Sequence, residues 1–212
     1  MGSIRLIALA IGYAFGLILS GYLFGKKNDV DIRKQGSGNI GTTNSMRILG
    51  IKVGALTLVC DCLKCVAAVV VVYVLFHNAY SDHIVLLELY GAIGAILGHD
   101  FPFFMKFKGG KGIACSFGMI VALFPQCLPI CVLIFILVVA ITRYVSLGSI
   151  LAVLALMAQV WIFGAKGWLR FDVSDVLEAQ ILVSFVCILA IVLHRSNIKR
   201  LLHGNENKFS FK

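Results

Sequence analysis

A chain of 212 residues that is 60% hydrophobic and 14% charged, with a mean hydropathy of +0.96, is too apolar for an ordinary water-soluble domain. Its formal charge of +9 suits anionic lipid headgroups or phosphorylated small molecules. A nucleic-acid partner is not expected, because no basic helix or aromatic-studded groove stands outside the apolar segments. No Pro/Ser-rich linker divides the chain, so residues 1–212 are expected to form one domain.

In chain order, apolar segments cover residues 4–24, 53–76, 84–97, 112–124, 127–141, 147–163 and 176–193. The first reads as a retained helix and not as a secretory leader. Only Arg5 precedes its apolar run, Lys26 and Lys27 follow it, and no small-residue cleavage pattern is present. A crossing takes about 20 residues, so the third and fourth segments are short unless flanking residues such as Phe101 to Phe107 extend them. Re-entrant hairpins are the alternative there. As one helix, residues 112–141 would run about 45 Å through Pro125 and Pro129, so a hairpin turning near those prolines is expected. The predicted fold class is an all-α integral membrane protein with seven transmembrane helices.

Charge sets the orientation. With the N-terminus outside and the C-terminus cytoplasmic, fifteen of the 19 Lys and Arg residues fall on the inner side, Lys212 among them. Arg5, Lys166 and Arg170 lie outside and Lys64 lies within a span. A plain polybasic flank would serve only orientation and lipid contact. Here the basic residues are interleaved with Gly, Ser, Asn and His in short loops on one face, which is the chemistry of an anion site.

Within the second segment, Asp61 and Lys64 are neighbours on one helix face. An ion pair is costly in a span, so it is expected to point inward, bracing its neighbours or bordering a polar cavity. The 7 cysteines follow no disulfide framework and read as free thiols. Cys62 and Cys65 have a metal-ligand spacing, but no second pair lies nearby to complete four ligands, so neither metal nor cofactor is expected.

Four inner loops carry the chemistry. The first, Ser37-Gly38-Asn39-Ile40-Gly41-Thr42-Thr43-Asn44-Ser45-Met46-Arg47, packs backbone donors, hydroxyls, amides and a guanidinium. Glycines at 36, 38 and 41 would permit positive φ values that turn successive N–H groups toward a phosphate, with Arg47 adding two parallel hydrogen bonds. The second joins Gly98-His99-Asp100-Phe101-Pro102 to Lys108-Gly109-Gly110-Lys111-Gly112 at the start of an apolar segment. Close backbone approach, two lysines and a helix N-terminus make it a phosphate cradle, although it lacks the P-loop order. The third, Thr142-Arg143-Tyr144-Val145-Ser146, says little by itself. In the fourth, His194, Asn197 and Arg200 recur at about helical spacing. A cytoplasmic amphipathic tail is the plain alternative.

Taken together the loops resemble the bacterial glycerol-3-phosphate acyltransferase family that uses acyl phosphate as donor. The likeness rests on Ser37-Gly38-Asn39-x-Gly41-x-x-Asn44-x-x-Arg47, on Gly98-His99-x-Phe101-Pro102 with Lys108-Gly109-Gly110-Lys111-Gly112, and on His194-Arg195-x-Asn197-Ile198-x-Arg200-Leu201-Leu202-x-Gly204-x-Glu206. Asp61-x-x-Lys64 and Ser146-Leu147-Gly148 also match, whereas Cys65 and Cys115 stand where the family pattern has Gly and Thr.

The resemblance implies seven helices in a bacterial inner membrane, with the site facing the cytoplasm. It also implies no metal or cofactor, and a reaction of acyl phosphate with glycerol 3-phosphate that yields lysophosphatidic acid and inorganic phosphate. On this reading His194, Asn197, Ser37, Arg47 and Lys111 carry catalysis. Phosphate groups are bound by Ser37, Gly38, Asn39, Gly41, Asn44, Arg47, His99, Lys108, Gly109, Gly110, Lys111, Gly112, Ser146, Arg195, Asn197 and Glu206.

The attacking hydroxyl must lose a proton, and His194 is the candidate base by its pKa class. A phosphate oxygen of the substrate is the alternative acceptor. An acyl-enzyme is disfavoured, because local spacing sets no base beside Ser37 or any cysteine. The rival class is an anion transporter, but no internal repeat is present and every motif falls on one face. Acyl-chain preference and oligomeric state are not legible.

Overall fold

The structure is a computed structural model and describes residues 2–209, so Lys212 lies outside the described residues. Every regular element among them is helical, and the chain divides after Leu123 into two compact units.

The first unit holds α1 (Gly2–Gly16), α2 (Ser20–Lys27), α3 (Thr42–Leu49), α4 (Ile51–Phe76), α5 (Ile84–Asp100) and α6 (Ile113–Leu123). The second holds α7 (Leu128–Thr142), α8 (Val145–Ala165), α9 (Val176–Leu193) and α10 (Arg195–Leu202). Six stretches are long and apolar enough to cross a bilayer: Gly2–Lys27, Ile51–Phe76, Ser81–Met105, Pro125–Thr142, Val145–Ala165 and Val173–Leu193. The short third segment is therefore extended by its flanks. The fourth is not: α6 has 11 residues, about 16 Å of helix against a hydrocarbon core of about 30 Å. Between α6 and α7 the chain breaks where the prolines predict it, with a 3-10 turn at Pro125–Cys127 and Pro129 in the first turn of α7.

The first segment departs from expectation. It is not one helix but two, interrupted at residues 17–19. A break at that depth leaves backbone carbonyls without helical partners, a state tolerated in a membrane only where the protein itself satisfies them. Lys64 does so, its Nζ donating to Ile18 O at 2.7 Å and Gly16 O at 3.3 Å.

Small residues bring α1 and α5 into backbone contact. A Cβ on Gly12 would lie 1.8 Å from Gly91 O, and one on Gly98 would lie 2.3 Å from Tyr13 O. Lipid supplies no hydrophobic drive between helices, so such close packing is what holds membrane helices together. It also carries the end of α5, with His99 and Asp100, to the break in the first segment. In the second unit amides supply the adhesion. Gln159 of α8 donates to Cys131 Sγ and Cys127 O, Gln180 of α9 donates to Val160 O, and Trp161 Nε1 donates to Ser184 Oγ at 2.9 Å. The outward faces stay apolar, as Leu63, Val74, Ile136, Leu137, Phe185 and Ile188 show.

Candidate active site

In the first unit the first loop is only half a loop. Residues 42–49 fold as α3, and Gly41 is its N-cap with φ −86°, so it does not adopt the positive φ expected of it. Gly36 and Gly38 do, at +59° and +72°. Asn44 is buried and its amide is consumed by the loop: Ser37 N donates to Oδ1 at 2.9 Å, and Nδ2 lies within 3.2 Å of the Asn39, Gln35 and Ile32 carbonyls. Asn44 therefore shapes the loop that presents Ser37, Gly38 and Asn39. Asn39 Oδ1 in turn accepts from Gly41 N at 2.8 Å. Ser37 and Gly38 are exposed, as is Arg47 in the last turn of α3. Beside them Asp31 caps a 3-10 turn and pairs with Arg33 at 2.9 Å, which holds the Asp31 carboxyl down at about 2.

The second loop folds back on the end of α5. Gly109 N donates to Asp100 O and Gly110 N to His99 O, each at 3.0 Å, while Tyr13 Oη fixes the exit of the helix through Phe101 O at 2.7 Å. Lys106 and Phe107 take left-handed backbone to make the return. Gly109 and Gly110 are needed for close packing: a Cβ on Gly109 would meet His99 O at 2.1 Å, and one on Gly110 would meet His99 Nε2 at 1.9 Å. Lys108 is exposed, Lys111 half-buried, and Gly112 takes φ +69° immediately before α6. Met105 packs with Leu19, Ile32 and Ile40, which brings this loop and the first one together.

His99 is 3% exposed and belongs to a buried ionic cluster. Lys64 Nζ stands 2.8 Å from Asp61 Oδ1 and 2.9 Å from His99 Nδ1, and Ser20 Oγ donates to the same Asp61 oxygen at 3.0 Å. Asp61 and Lys64 thus brace the helix break.

The second unit assembles the third and fourth loops around Glu206. Its Oε1 accepts from Asn197 Nδ2 at 2.8 Å and Ser146 Oγ at 3.1 Å, and its Oε2 accepts from Arg200 Nε at 2.7 Å. A carboxylate offers phosphate no donor, so Glu206 acts through the three groups it holds. The expected row of His194, Asn197 and Arg200 is realised by α10, with His194 at its N-cap. Arg195 is exposed on the same helix. His194 is 4% exposed, and its Nδ1 donates to Ala190 O at 2.7 Å, which leaves the lone pair on Nε2. The tail returns over the α7–α8 turn, where Phe209 N donates to Arg143 O at 2.7 Å. Among the described residues no group of three or more His, Cys, Asp or Glu is arranged to hold a metal ion.

The likeness to known proteins covers both units. A model of the glycerol-3-phosphate acyltransferase family matches residues 6–204. A glycerol-3-phosphate acyltransferase of Trichlorobacter lovleyi is 40% identical over 203 residues, covering 95% of each chain. One of Geobacter sulfurreducens is 39% identical over 208 residues, covering 97% of each. The crystal structure of PlsY (YgiH), an integral membrane glycerol 3-phosphate acyltransferase, in its glycerol 3-phosphate form has a TM-score of 0.81 at 32% identity, covering 97% of this chain and 96% of that one. With four-tenths identity along nearly its whole length and a shared all-helical membrane fold, this chain belongs to the glycerol-3-phosphate acyltransferase family.

Proposed function

We propose that this chain transfers a fatty acyl group from an acyl phosphate to glycerol 3-phosphate, giving 1-acylglycerol 3-phosphate and inorganic phosphate for phospholipid synthesis. The observation that carries it is the family match from residue 6 to 204, which takes in the first three loops and the fourth as far as Gly204. Solved relatives hold glycerol 3-phosphate in one crystal form and lysophosphatidic acid in another, the acceptor and the product of this reaction. The acyl phosphate donor follows from the resemblance of the loop motifs. Because the match crosses the boundary between the two units, residues 1–212 are read as one functional domain.

In the reaction the glycerol hydroxyl oxygen bonds to the acyl carbonyl carbon, and the bond from that carbon to the phosphate oxygen breaks. Phosphate leaves as a stable anion, so positioning and charge stabilisation supply most of the catalysis. Ser37, Gly38, Asn39, Arg47 and the Lys108–Gly112 loop hold phosphate groups. His194 Nε2 takes the hydroxyl proton, the role its tautomer suits, and Asn197 binds beside it. Seven crossings, with the N-terminus outside and the loops facing the cytoplasm of a bacterial inner membrane, best satisfy the charge asymmetry. In that reading the short α6 crosses with the help of its flanking loops.

The test is phosphate release by purified protein in lipid, given palmitoyl phosphate with and without glycerol 3-phosphate. Release that requires the acceptor, yields lysophosphatidic acid and vanishes in Arg47→Ala is the expected result. Absence of turnover in well-folded protein would refute the reading.

A further inference from the structure

The buried cluster of the first unit contains a group that bracing does not explain. Lys64 Nζ has four neighbours: the carbonyls of Gly16 and Ile18, Asp61 Oδ1, and His99 Nδ1 at 2.9 Å. An ammonium has three protons to donate and nothing with which to accept. His99 Nδ1 must therefore be an acceptor, and the ring proton must sit on Nε2. Asp61 Oδ1, at 3.7 Å from Nδ1, is too far to reverse that assignment.

The protonated nitrogen is the one that faces the second loop. His99 Nε2 lies so close over Gly110 that a Cβ there would stand 1.9 Å from it, and no residue but glycine lets ring and loop close. Among the described residues Nε2–H has no hydrogen-bond partner, yet, unlike Asp61 Oδ2 and Asp100 Oδ1, it is not a fully enclosed atom. A donor that still reaches solvent beside a loop of glycines and lysines can exchange water for an acceptor that arrives with the ligand.

We propose that Lys64 fixes the tautomer of His99 so that Nε2–H donates to a phosphate oxygen of the substrate held at Gly110. The proposal rests on the reading of the Lys108–Gly112 loop as a phosphate cradle. Lys64 is then a positioning residue acting through His99, and Asp61 keeps Lys64 in place. The reverse tautomer would turn a lone pair toward the incoming anion and repel it.

The experiment uses the full chain in lipid with nitrogen-15 histidine, the His99 signals being identified by their loss in His99→Gln. Expected is an Nε2–H ring with an unprotonated, hydrogen-bonded Nδ1, whose Nε2 signal moves on addition of inorganic phosphate or glycerol 3-phosphate while Nδ1 stays. Lys64→Arg, which still donates, should keep that tautomer, and Lys64→Met should lose it. Lys64→Met should also raise the KM for a phosphate substrate about 10-fold with a smaller effect on kcat. A proton on Nδ1 in the unmodified protein, or an Nε2 signal unmoved at phosphate concentrations that saturate turnover, overturns the proposal. Both can be read even if Lys64→Met fails to fold. Failure of the acyltransferase reading is seen separately, as a lack of turnover with palmitoyl phosphate in protein whose His99 has the expected tautomer.

Discussion

The molecule buries two histidines with motif neighbours, and their surroundings hold them in opposite tautomers. His99, in the first unit, meets a donor at Nδ1, the Lys64 ammonium. His194, in the second, meets an acceptor at Nδ1, the carbonyl of Ala190 one turn back. The same ring is thereby protonated at Nε2 in one place and carries its lone pair at Nε2 in the other. What separates them is not depth, since both are nearly inaccessible, but the charge of a single neighbour.

The comparison breaks most sharply at His194. His194→Ala and His194→Gln should each lower kcat by about 10²–10⁴ in the phosphate-release assay, since neither can accept the hydroxyl proton. Full activity in His194→Gln would reduce the residue to binding and give the proton to a substrate phosphate. Next comes the support behind His99. Asp61→Ala leaves the Lys64 ammonium buried without its counter-ion and should cost about 3–5 kcal/mol in unfolding free energy. A loss under about 1 kcal/mol would show that the cluster does not brace the helix break.

The support on the His194 side is wetter. Arg200 is 32% exposed where it meets Glu206, so Glu206→Ala should cost less, about 1.5–3 kcal/mol, mainly from the buried Asn197 and Ser146 contacts. Activity should nevertheless fall, because Asn197 loses its anchor. Ser146→Ala removes one of these bonds and should cost about 1 kcal/mol. The smallest effect belongs to Asp31. The Arg33 guanidinium holds its folded pKa at about 2, below the ordinary carboxylate range, so the pairing favours the folded state above that range and is lost as pH falls toward 2. The pair lies at the surface, where solvent screens it, so Asp31→Asn should lower the unfolding midpoint at neutral pH only slightly.

The apolar runs told where most helices lie because hydrophobicity is a property of each residue in turn. The 176–193 segment appears in the structure as Val176–Leu193. The break at residues 17–19 escaped the same reading, since Leu17, Ile18 and Leu19 are as apolar as their neighbours and Lys64, which satisfies the freed carbonyls, lies far along the chain. Spacing placed His194, Asn197 and Arg200 on one helix, but did not reveal that Glu206 holds Asn197 and Arg200 from beyond the helix end. Asn44 and Gly110 were legible as motif members, and the structure adds a physical role for each that spacing did not show. One spends its amide on the loop backbone, and the other makes room for an imidazole.

The interrupted first segment also bears on how the protein is made. During synthesis Leu17–Leu19 emerges from the ribosome more than 40 residues before Lys64, whose ammonium will cap the carbonyls of Gly16 and Ile18. Until then those carbonyls are satisfied by water or by a helix that has not yet broken. The broken form of the first segment thus depends on a side chain that the ribosome supplies later, within α4.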